Sequence, residues 1–133
     1  MKQPVIVDEL RFKAEMVAAN EEEFTPDFVV HGIYFGEGDP EQGGQHWNFT
    51  RSLNDDDGVC VVKEIQEVTE YGGIVNFKLT RRSVMCSFND TTARSTRTRK
   101  LVVEFEIDDA TWEALVKQAK LVFDGEAYFE LGP

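Results

Sequence analysis

The chain contains 133 residues, a length typical of one compact domain, and we expect residues 1–133 to fold as one unit. Hydrophobic residues make up 41% and charged residues 29% of the sequence, which excludes a disordered composition. The formal net charge of −11 disfavours nucleic acid and anionic membranes as partners and favours encounter with a basic protein.

The opening residues, MKQPVIVDELRFK, contain no apolar run of the length that a signal peptide or a membrane helix needs, and no such run follows. We therefore expect a cytoplasmic protein. The two cysteines, Cys60 and Cys86, lie in apolar, strand-like runs, and two thiols do not make a disulfide framework. The sequence predicts that both are reduced and buried.

Period-two alternation of apolar and polar side chains predicts the first strands. Residues 10–18 alternate in this way, and residues 27–35 are rich in β-branched and aromatic side chains. Residues 45–53 place Trp47 and Phe49 on one face of a third strand. The cluster NEEEFTPD indicates a break between the first two strands, and the acidic, glycine-rich stretch GEGDPEQGG indicates the connection before the third.

The middle of the chain is less regular. The run NDDDG at residues 54–58 predicts a turn whose glycine supplies a positive φ. Residues 59–71 fit a strand, but the spacing of their apolar side chains also fits a helix, so both alternatives stay open. After a break at Tyr71-Gly72-Gly73, residues 74–80 and 83–88 predict a hairpin.

Residues 89–98 hold no apolar side chain larger than alanine and predict a mobile loop, and residues 101–107 predict a strand. A helix is predicted over residues 109–123, with Asp108 or Asp109 as its N-cap and an apolar stripe at i, i+3, i+4, i+7 spacing. The aromatic tail DGEAYFELGP predicts a last strand or a packed segment. Together these elements predict an α+β fold, a mostly antiparallel sheet of six or seven strands with one C-terminal amphipathic helix packed on a face.

The stretch Gly36-Glu37-Gly38 begins like the phosphate-binding motif GxGxxG, but Glu41 stands where the third glycine belongs. A phosphate loop should also lead into a helix, whereas this stretch leads into a predicted strand. Because Glu37, Asp39 and Glu41 would repel phosphate, the sequence disfavours nucleotide binding.

Signatures of metal binding and of nucleophilic catalysis are weak. His31, His46, Cys60 and Cys86 lack the paired spacing of zinc ligands, and His31 fits a hydrogen-bonded core histidine better. The run NDDDG lacks the alternating acids and the final glutamate of a calcium-binding EF-hand. No GxSxG motif and no electropositive cysteine mark a nucleophile. The sequence therefore predicts no cofactor, no metal and no enzymatic activity.

One basic stretch, residues 94–100 together with Arg81 and Arg82, is the best candidate for nucleic-acid binding. It lacks the interleaved aromatic side chains on which bases stack, and it lies in an acidic chain. We expect a solvated loop there, with an RNA-associated role as the alternative.

Three segments carry a family resemblance: IYFGEGDPEQGGQHWNFTRSL, then EYGGI leading into VNFKLTRRSV, then LVVEFEIDDATWEALVKQAKLVF. In this order they resemble the bacterial polymorphic-toxin immunity proteins of immunity protein family ten. The likeness covers residues 28–123 and is most specific at Tyr71-Gly72-Gly73-Ile74 and at the strand-to-helix junction EFEIDD. It departs from the family at the Gly43-Gly44 pair and in the basic run before Leu101.

The resemblance implies a single immunity-protein-like domain that binds a cognate toxin and keeps it inactive in the producing cell. Toxins of these systems are commonly nucleases with basic clefts, which clustered carboxylates can fill. The candidate partner-binding residues are two acidic clusters with flanking aromatic side chains: Glu37, Asp39, Glu41, Asp55, Asp56, Asp57, Tyr34 and Trp47.

If residues 45–53 form one strand, the two acidic clusters lie about 25 Å apart at ~3.3 Å per residue. We favour the first cluster because Tyr34 and Trp47 flank it, and aromatic side chains are enriched at the energetic centres of interfaces. Core packing is the alternative role for each of these two aromatic residues.

The alternative function is a small-molecule-binding or catalytic α+β domain. It would use a pocket between the sheet and the helix, lined by His31, Tyr34 or Trp47.

Overall fold

The computed structural model describes residues 5–38, 44–52, 58–63 and 68–132. In these ranges it has ten strands and two helices. The strands are β1 (Val7–Lys13), β2 (Met16–Thr25), β3 (Phe28–Gly36), β4 (His46–Ser52), β5 (Cys60–Lys63), β6 (Val68–Tyr71), β7 (Ile74–Leu79), β8 (Ser83–Phe88), β9 (Thr98–Glu104) and β10 (Phe129–Leu131). The helices are α1 (Asp90–Thr96) and α2 (Asp109–Val122).

The strands form two five-stranded sheets. One, here called the mixed sheet, has the order β1-β9-β8-β7-β10, and its two outer strands pair parallel to their neighbours. The other, here called the antiparallel sheet, has the order β2-β3-β4-β5-β6. The α+β class is confirmed, whereas the prediction of a single sheet of six or seven strands with one helix is wrong. Alternation shows which side chains a strand buries, but it does not show which strand is its neighbour.

The predicted strand at residues 10–18 is divided between the two sheets. The amide of Ala14 still donates to the carbonyl of Glu104 in the mixed sheet, at 2.8 Å. The next amide, that of Glu15, donates to the carbonyl of Gly36 in the antiparallel sheet, also at 2.8 Å. One peptide unit therefore carries the chain from one sheet to the other, which links the edges of both.

Aromatic side chains fill the space between the sheets. Three pairs cross it: Trp47 stacks on Phe88 with centroids 5.8 Å apart, Phe49 meets Phe77 edge-on at 5.1 Å, and Phe35 stacks on Phe105 at 5.8 Å. All six side chains are at most 3% exposed. Such aromatic pairs favour offset or edge-on contacts at these separations, so they form a densely packed core.

Helix α2 lies where the sequence predicted a helix, and its N-cap is Asp108, whose carboxylate accepts a hydrogen bond from the amide of Thr111 at 2.7 Å. The helix packs against β2, β3 and β4, and it buries Leu115, Ala119 and Val122. Neither described helix has the length and apolar character needed to span a membrane.

Hydrogen bonds from Thr111 hold the pKa of Asp108 below its ordinary value of 3.8. A carboxyl group whose pKa is lowered by folding stabilises the folded state at pH values above its ordinary pKa. This stabilisation is lost as the pH falls through the pKa of the folded state. We expect acid to reduce the free energy of unfolding less in Asp108→Asn, which keeps the cap without the charge, than in the native chain. Urea unfolding at several pH values below 5 measures this; Glu113→Gln, on the exposed side of the same helix, is the control. Parallel pH curves for the native chain and Asp108→Asn would contradict the assignment.

Residues 89–98 were predicted to be a mobile loop, and this prediction is wrong. Asn89 caps α1 by accepting a hydrogen bond from the amide of Thr92 at 3.0 Å. Thr92, Ala93 and Thr96 are buried on the side of the helix that faces the sheets, and the Thr96 hydroxyl donates to the carbonyl of Thr92. Threonine side chains thus supply the buried face that larger apolar residues usually supply, because their hydroxyls find backbone carbonyls: that of Thr92 for Thr96, and that of Gly72 for Thr92.

Two other differences concern strands. The cluster NEEEFTPD was predicted to be a break, yet β2 continues through it as an exposed edge strand as far as Thr25. In residues 59–71, where strand and helix were both open, the described parts are strands β5 and β6. Cys60 and Cys86 are free and buried as predicted, and burial raises the pKa of both thiols.

Candidate functional site on the antiparallel sheet

The antiparallel sheet has one face in the core and one face turned outward. In the middle of β3 and β4 the odd-numbered side chains Ile33, Phe35, Trp47 and Phe49 are fully buried. Register pairs Phe35 with Trp47 and Tyr34 with Asn48, so Tyr34 and Asn48 lie together on the outward face. This alternation makes every second residue of β2 to β6 available for a surface site.

An open groove with a volume of about 600 Å³ runs across the outward face, and we call it the outer groove. It spans β2 to β6. Its lining includes Glu22, Phe24, Tyr34, Asn48, Thr50 and Tyr71. No lysine or arginine is found among the described lining residues. The groove therefore combines aromatic surface, hydrogen-bonding groups and a carboxylate.

Gly32 keeps the outward face open beside the outer groove. It lies on the outward face of β3 and lines a smaller polar depression beside the groove, together with Asn48 and Thr50. A Cβ atom at this position would lie 3.1 Å from the Thr50 methyl and 3.4 Å from Asn48 Oδ1. A side chain there would crowd both neighbours and fill the floor, so glycine keeps this part of the face open.

Three polar atoms on the outward side of β4 are buried and lack a hydrogen-bond partner within the described part of the structure: His46 Nε2, Asn48 Oδ1 and Ser52 Oγ. The side chain of His46 is 3% exposed, and its Nδ1 is hydrogen-bonded to the hydroxyl of Tyr34. Buried polar groups without partners are uncommon in folded proteins, and a bound water, ion or ligand group can supply the missing partner. Their clustering on one strand makes the outward face the candidate functional site.

Strand β2 brings negative charge to one side of the outer groove. Glu21, Glu22 and Glu23 follow one another along this edge strand, and all three are exposed. Phe24 is 58% exposed next to them, and its ring centroid lies 5.5 Å from that of Phe28. An acidic edge with exposed aromatic rings differs from an ordinary solvated strand, because large apolar side chains usually lie inside.

The structure places two of the predicted binding residues on opposite faces of the sheet. Tyr34 lines the outer groove. Trp47 borders the groove, but its side chain is fully buried, stacks on Phe88 and lies 5.3 Å from the ammonium nitrogen of Lys63. Trp47 therefore has the core-packing role that was its alternative.

Glu37 follows directly after β3, where its amide donates to the carbonyl of Gln45 at 2.8 Å. This bond closes the described ends of the acidic connection between β3 and β4. The other candidate carboxylates lie outside the described residues: Asp39, Glu41, Asp55, Asp56 and Asp57.

Comparison with protein-family models, with curated proteins and with solved structures finds no match for this chain. The likeness to immunity proteins therefore stays a hypothesis. Within the described ranges, no three histidine, cysteine, aspartate or glutamate side chains are close enough together to hold a metal ion.

His31 confirms its predicted role as a hydrogen-bonded core histidine. It is 4% exposed, and its Nδ1 lies 2.8 Å from Gln118 Oε1 on α2 and 3.2 Å from Glu21 Oε1. Because both neighbours are acceptors, Nδ1 carries the proton and donates. The space between sheet and helix, where the alternative function placed a pocket, is occupied here by this contact.

Sequence reasoning missed Glu22, Phe24, Asn48 and Tyr71 as site residues. The signal for the first two was weak, since NEEEF shows no period-two alternation and only the phenylalanine beside an acidic run is unusual. The contributions of Asn48 and Tyr71 depend on register between strands, which one sequence does not show.

Proposed function

We propose that this protein binds a cognate bacterial toxin with a basic surface and keeps it inactive by direct contact. One observation carries the proposal: an exposed acidic strand edge, Glu21 to Glu23, lies beside an open groove with aromatic walls. Carboxylates speed the approach of a basic partner, and exposed aromatic rings supply the apolar contacts that hold it.

The interior of the protein supports a binding role over chemistry on a small substrate. The aromatic pairs between the sheets fill the core, and His31 is committed to Gln118. The outer groove is broad and shallow compared with the enclosed pockets that bury most of a small ligand. The face of a paired sheet suits contact with another protein, because its backbone is already held by the strand hydrogen bonds and needs little ordering on binding.

The acidic connection after β3 and the acidic edge of β2 can belong to one interface. Glu22 lies opposite Val30 in β3, and Glu37 follows seven residues after Val30 along the chain. At ~3.3 Å per residue they are about 23 Å apart, which is within the width of a protein interface of standard size.

Co-expression with the toxin domain encoded in the neighbouring gene tests the proposed function. We expect cells that produce the toxin to survive only when this protein is also produced. The two purified proteins should elute as one complex in gel filtration. Absence of both protection and complex would refute the proposal.

Replacing Glu37, Asp39 and Glu41 by serine is expected to slow association with the toxin by about tenfold at low salt, since long-range attraction raises the association rate. The salt dependence of the rate should also become flatter. Stopped-flow or surface-binding kinetics at several salt concentrations measure both effects. The matched control removes three exposed carboxylates from the region of α2 and its flanks: Glu106, Glu113 and Asp124. Equal association rates for the two triple variants would show that Glu37, Asp39 and Glu41 do not belong to the interface.

A further inference from the structure

We propose that the outer groove receives an arginine side chain of the protein partner, an assignment that rests on the function proposed above. The groove crosses β2 to β6 on the outward face of the antiparallel sheet. Its lining suits a guanidinium group in three ways: it carries a negative charge, it offers hydrogen-bond acceptors, and it has exposed aromatic surface.

Charge complementarity favours a cation. Glu22 lines the groove, and its carboxylate makes no ion pair with any described residue. The described lining contains no basic side chain that could neutralise it or attract an anion. A positively charged side chain entering the groove would therefore meet a carboxylate without an internal competitor.

Hydrogen bonding favours a group that only donates. Asn48 Oδ1 at the floor is buried and has no hydrogen-bond partner in the described part of the structure. Asn48, Thr50 and Glu22 all line the groove, and each carries an oxygen that can accept a hydrogen bond. Guanidinium has five donors and no acceptor, and its planar fork can bond to two such oxygens at once.

The exposed aromatic surface of the groove favours a guanidinium group over an ammonium group. Phe24 and Tyr71, both lining the groove, are 58% and 61% exposed, and Tyr34 forms a further part of the wall. Guanidinium stacks on aromatic faces and is more weakly hydrated than an ammonium group, so it loses less on leaving water.

The Tyr34 wall is fixed in advance. Its hydroxyl is bonded to His46 Nδ1, and the two rings are stacked with centroids 5.9 Å apart. His46 is itself buried at 3% exposure. A wall that is already rigid costs little ordering on binding, which allows one side chain to be recognised.

A titration followed by ¹H–¹⁵N NMR tests the assignment without the toxin. The probes are N-acetyl-arginine amide, its uncharged analogue N-acetyl-citrulline amide and N-acetyl-lysine amide. We expect the arginine compound to shift the backbone amides of Glu22, Asn48, Thr50 and Tyr71, which line the groove. The citrulline compound should shift them at least fivefold less at equal concentration, and the lysine compound should bind more weakly than the arginine compound.

Glu22→Gln is expected to weaken binding of the arginine probe about three- to fivefold, a change typical of one partly exposed ion pair. Glu23→Gln is the matched control, because Glu23 is the next residue of β2 and is also exposed but does not line the groove. Asn48→Ala should weaken binding as well, and it checks the acceptor at the floor.

Shifts outside the groove, equal binding of arginine and citrulline, equal binding of arginine and lysine, or equal effects of the two glutamine variants would each overturn the assignment. These outcomes are separate from the test of the proposed function. Protection from the toxin by a protein that ignores the arginine probe would refute only the groove assignment. Arginine binding by a protein that gives no protection would refute only the neutralising role.

Discussion

Replacing Phe77 by alanine is expected to lower the free energy of unfolding by about 3–5 kcal/mol, the range found for large aromatic truncations in packed cores. Phe77 is fully buried in β7, and its ring lies 4.3 Å from the centroid of Phe123 and 5.1 Å from that of Phe49. It therefore joins the mixed sheet, the antiparallel sheet and the end of α2. The cavity left by alanine cannot be filled without moving all three.

Urea denaturation followed by circular dichroism measures the effect of Phe77→Ala. The matched control is Val75→Ala, which truncates another side chain of β7 that is 55% exposed. It should change the free energy of unfolding by less than about 0.5–1 kcal/mol, as surface substitutions usually do. If the two variants are equally stable, Phe77 does not occupy the centre of the core.

Gly73→Ala is expected to cost about 3 kcal/mol or more, because backbone strain and a steric clash add at one residue. Gly73 has a φ of 87°, and a Cβ atom there would lie 1.8 Å from Thr92 Oγ1 and 2.7 Å from Thr92 Cβ. Thr92 is buried in α1 and cannot move aside easily, since Ala93 and Thr96 of the same short helix are buried with it.

Gly72 provides a closely matched control for this prediction. Its φ is 79°, yet a Cβ atom there would meet nothing within 4 Å. Gly72→Ala should therefore show only the strain of a positive φ, about 1–2 kcal/mol. The difference between the two alanine variants in urea denaturation isolates the clash with Thr92. Equal losses would show that α1 does not press against the start of β7.

The same contacts explain the Tyr71-Gly72-Gly73 stretch in physical terms. The amide of Asn89 donates to the carbonyl of Gly73 at 2.8 Å, and the hydroxyl of Thr92 donates to the carbonyl of Gly72 at 3.3 Å. The backbone of the two glycines thus binds the N-terminal end of α1. One of the two stretches that most resemble an immunity protein in the sequence thus has a structural role in this chain.

Local pattern predicted the elements that carry their own periodicity. The apolar stripe and the aspartate N-cap predicted the bounds of α2 to within one residue, and the aromatic tail predicted a last strand, which is β10. Helix α1 was missed because its buried positions are threonine and alanine, which carry no strong apolar signal. The second half of strand β2 was missed because consecutive glutamates on an exposed edge look like a loop.

Long-range pairing decided what local pattern could not predict. The change of sheet between Ala14 and Glu15 depends on carbonyl groups of Glu104 and Gly36, which are distant in sequence. The candidate site was predicted only in part for the same reason. Tyr34 was identified from its neighbours in the chain, whereas the outer groove is assembled by register across β2 to β6.

The parallel pairing of β1 with β9 also bears on how the protein reaches its native state. Arg11 of β1 bonds to Glu104 of β9, a residue 93 positions later. During synthesis β1 stays unpaired until β9 has been synthesised. Contacts between residues so distant in sequence also slow folding. The charged side chains of β1, Asp8, Glu9, Arg11 and Lys13, suit that delay, because charges on an unpaired strand oppose aggregation. The charges therefore help to keep β1 from aggregating until β9 is available to pair with it.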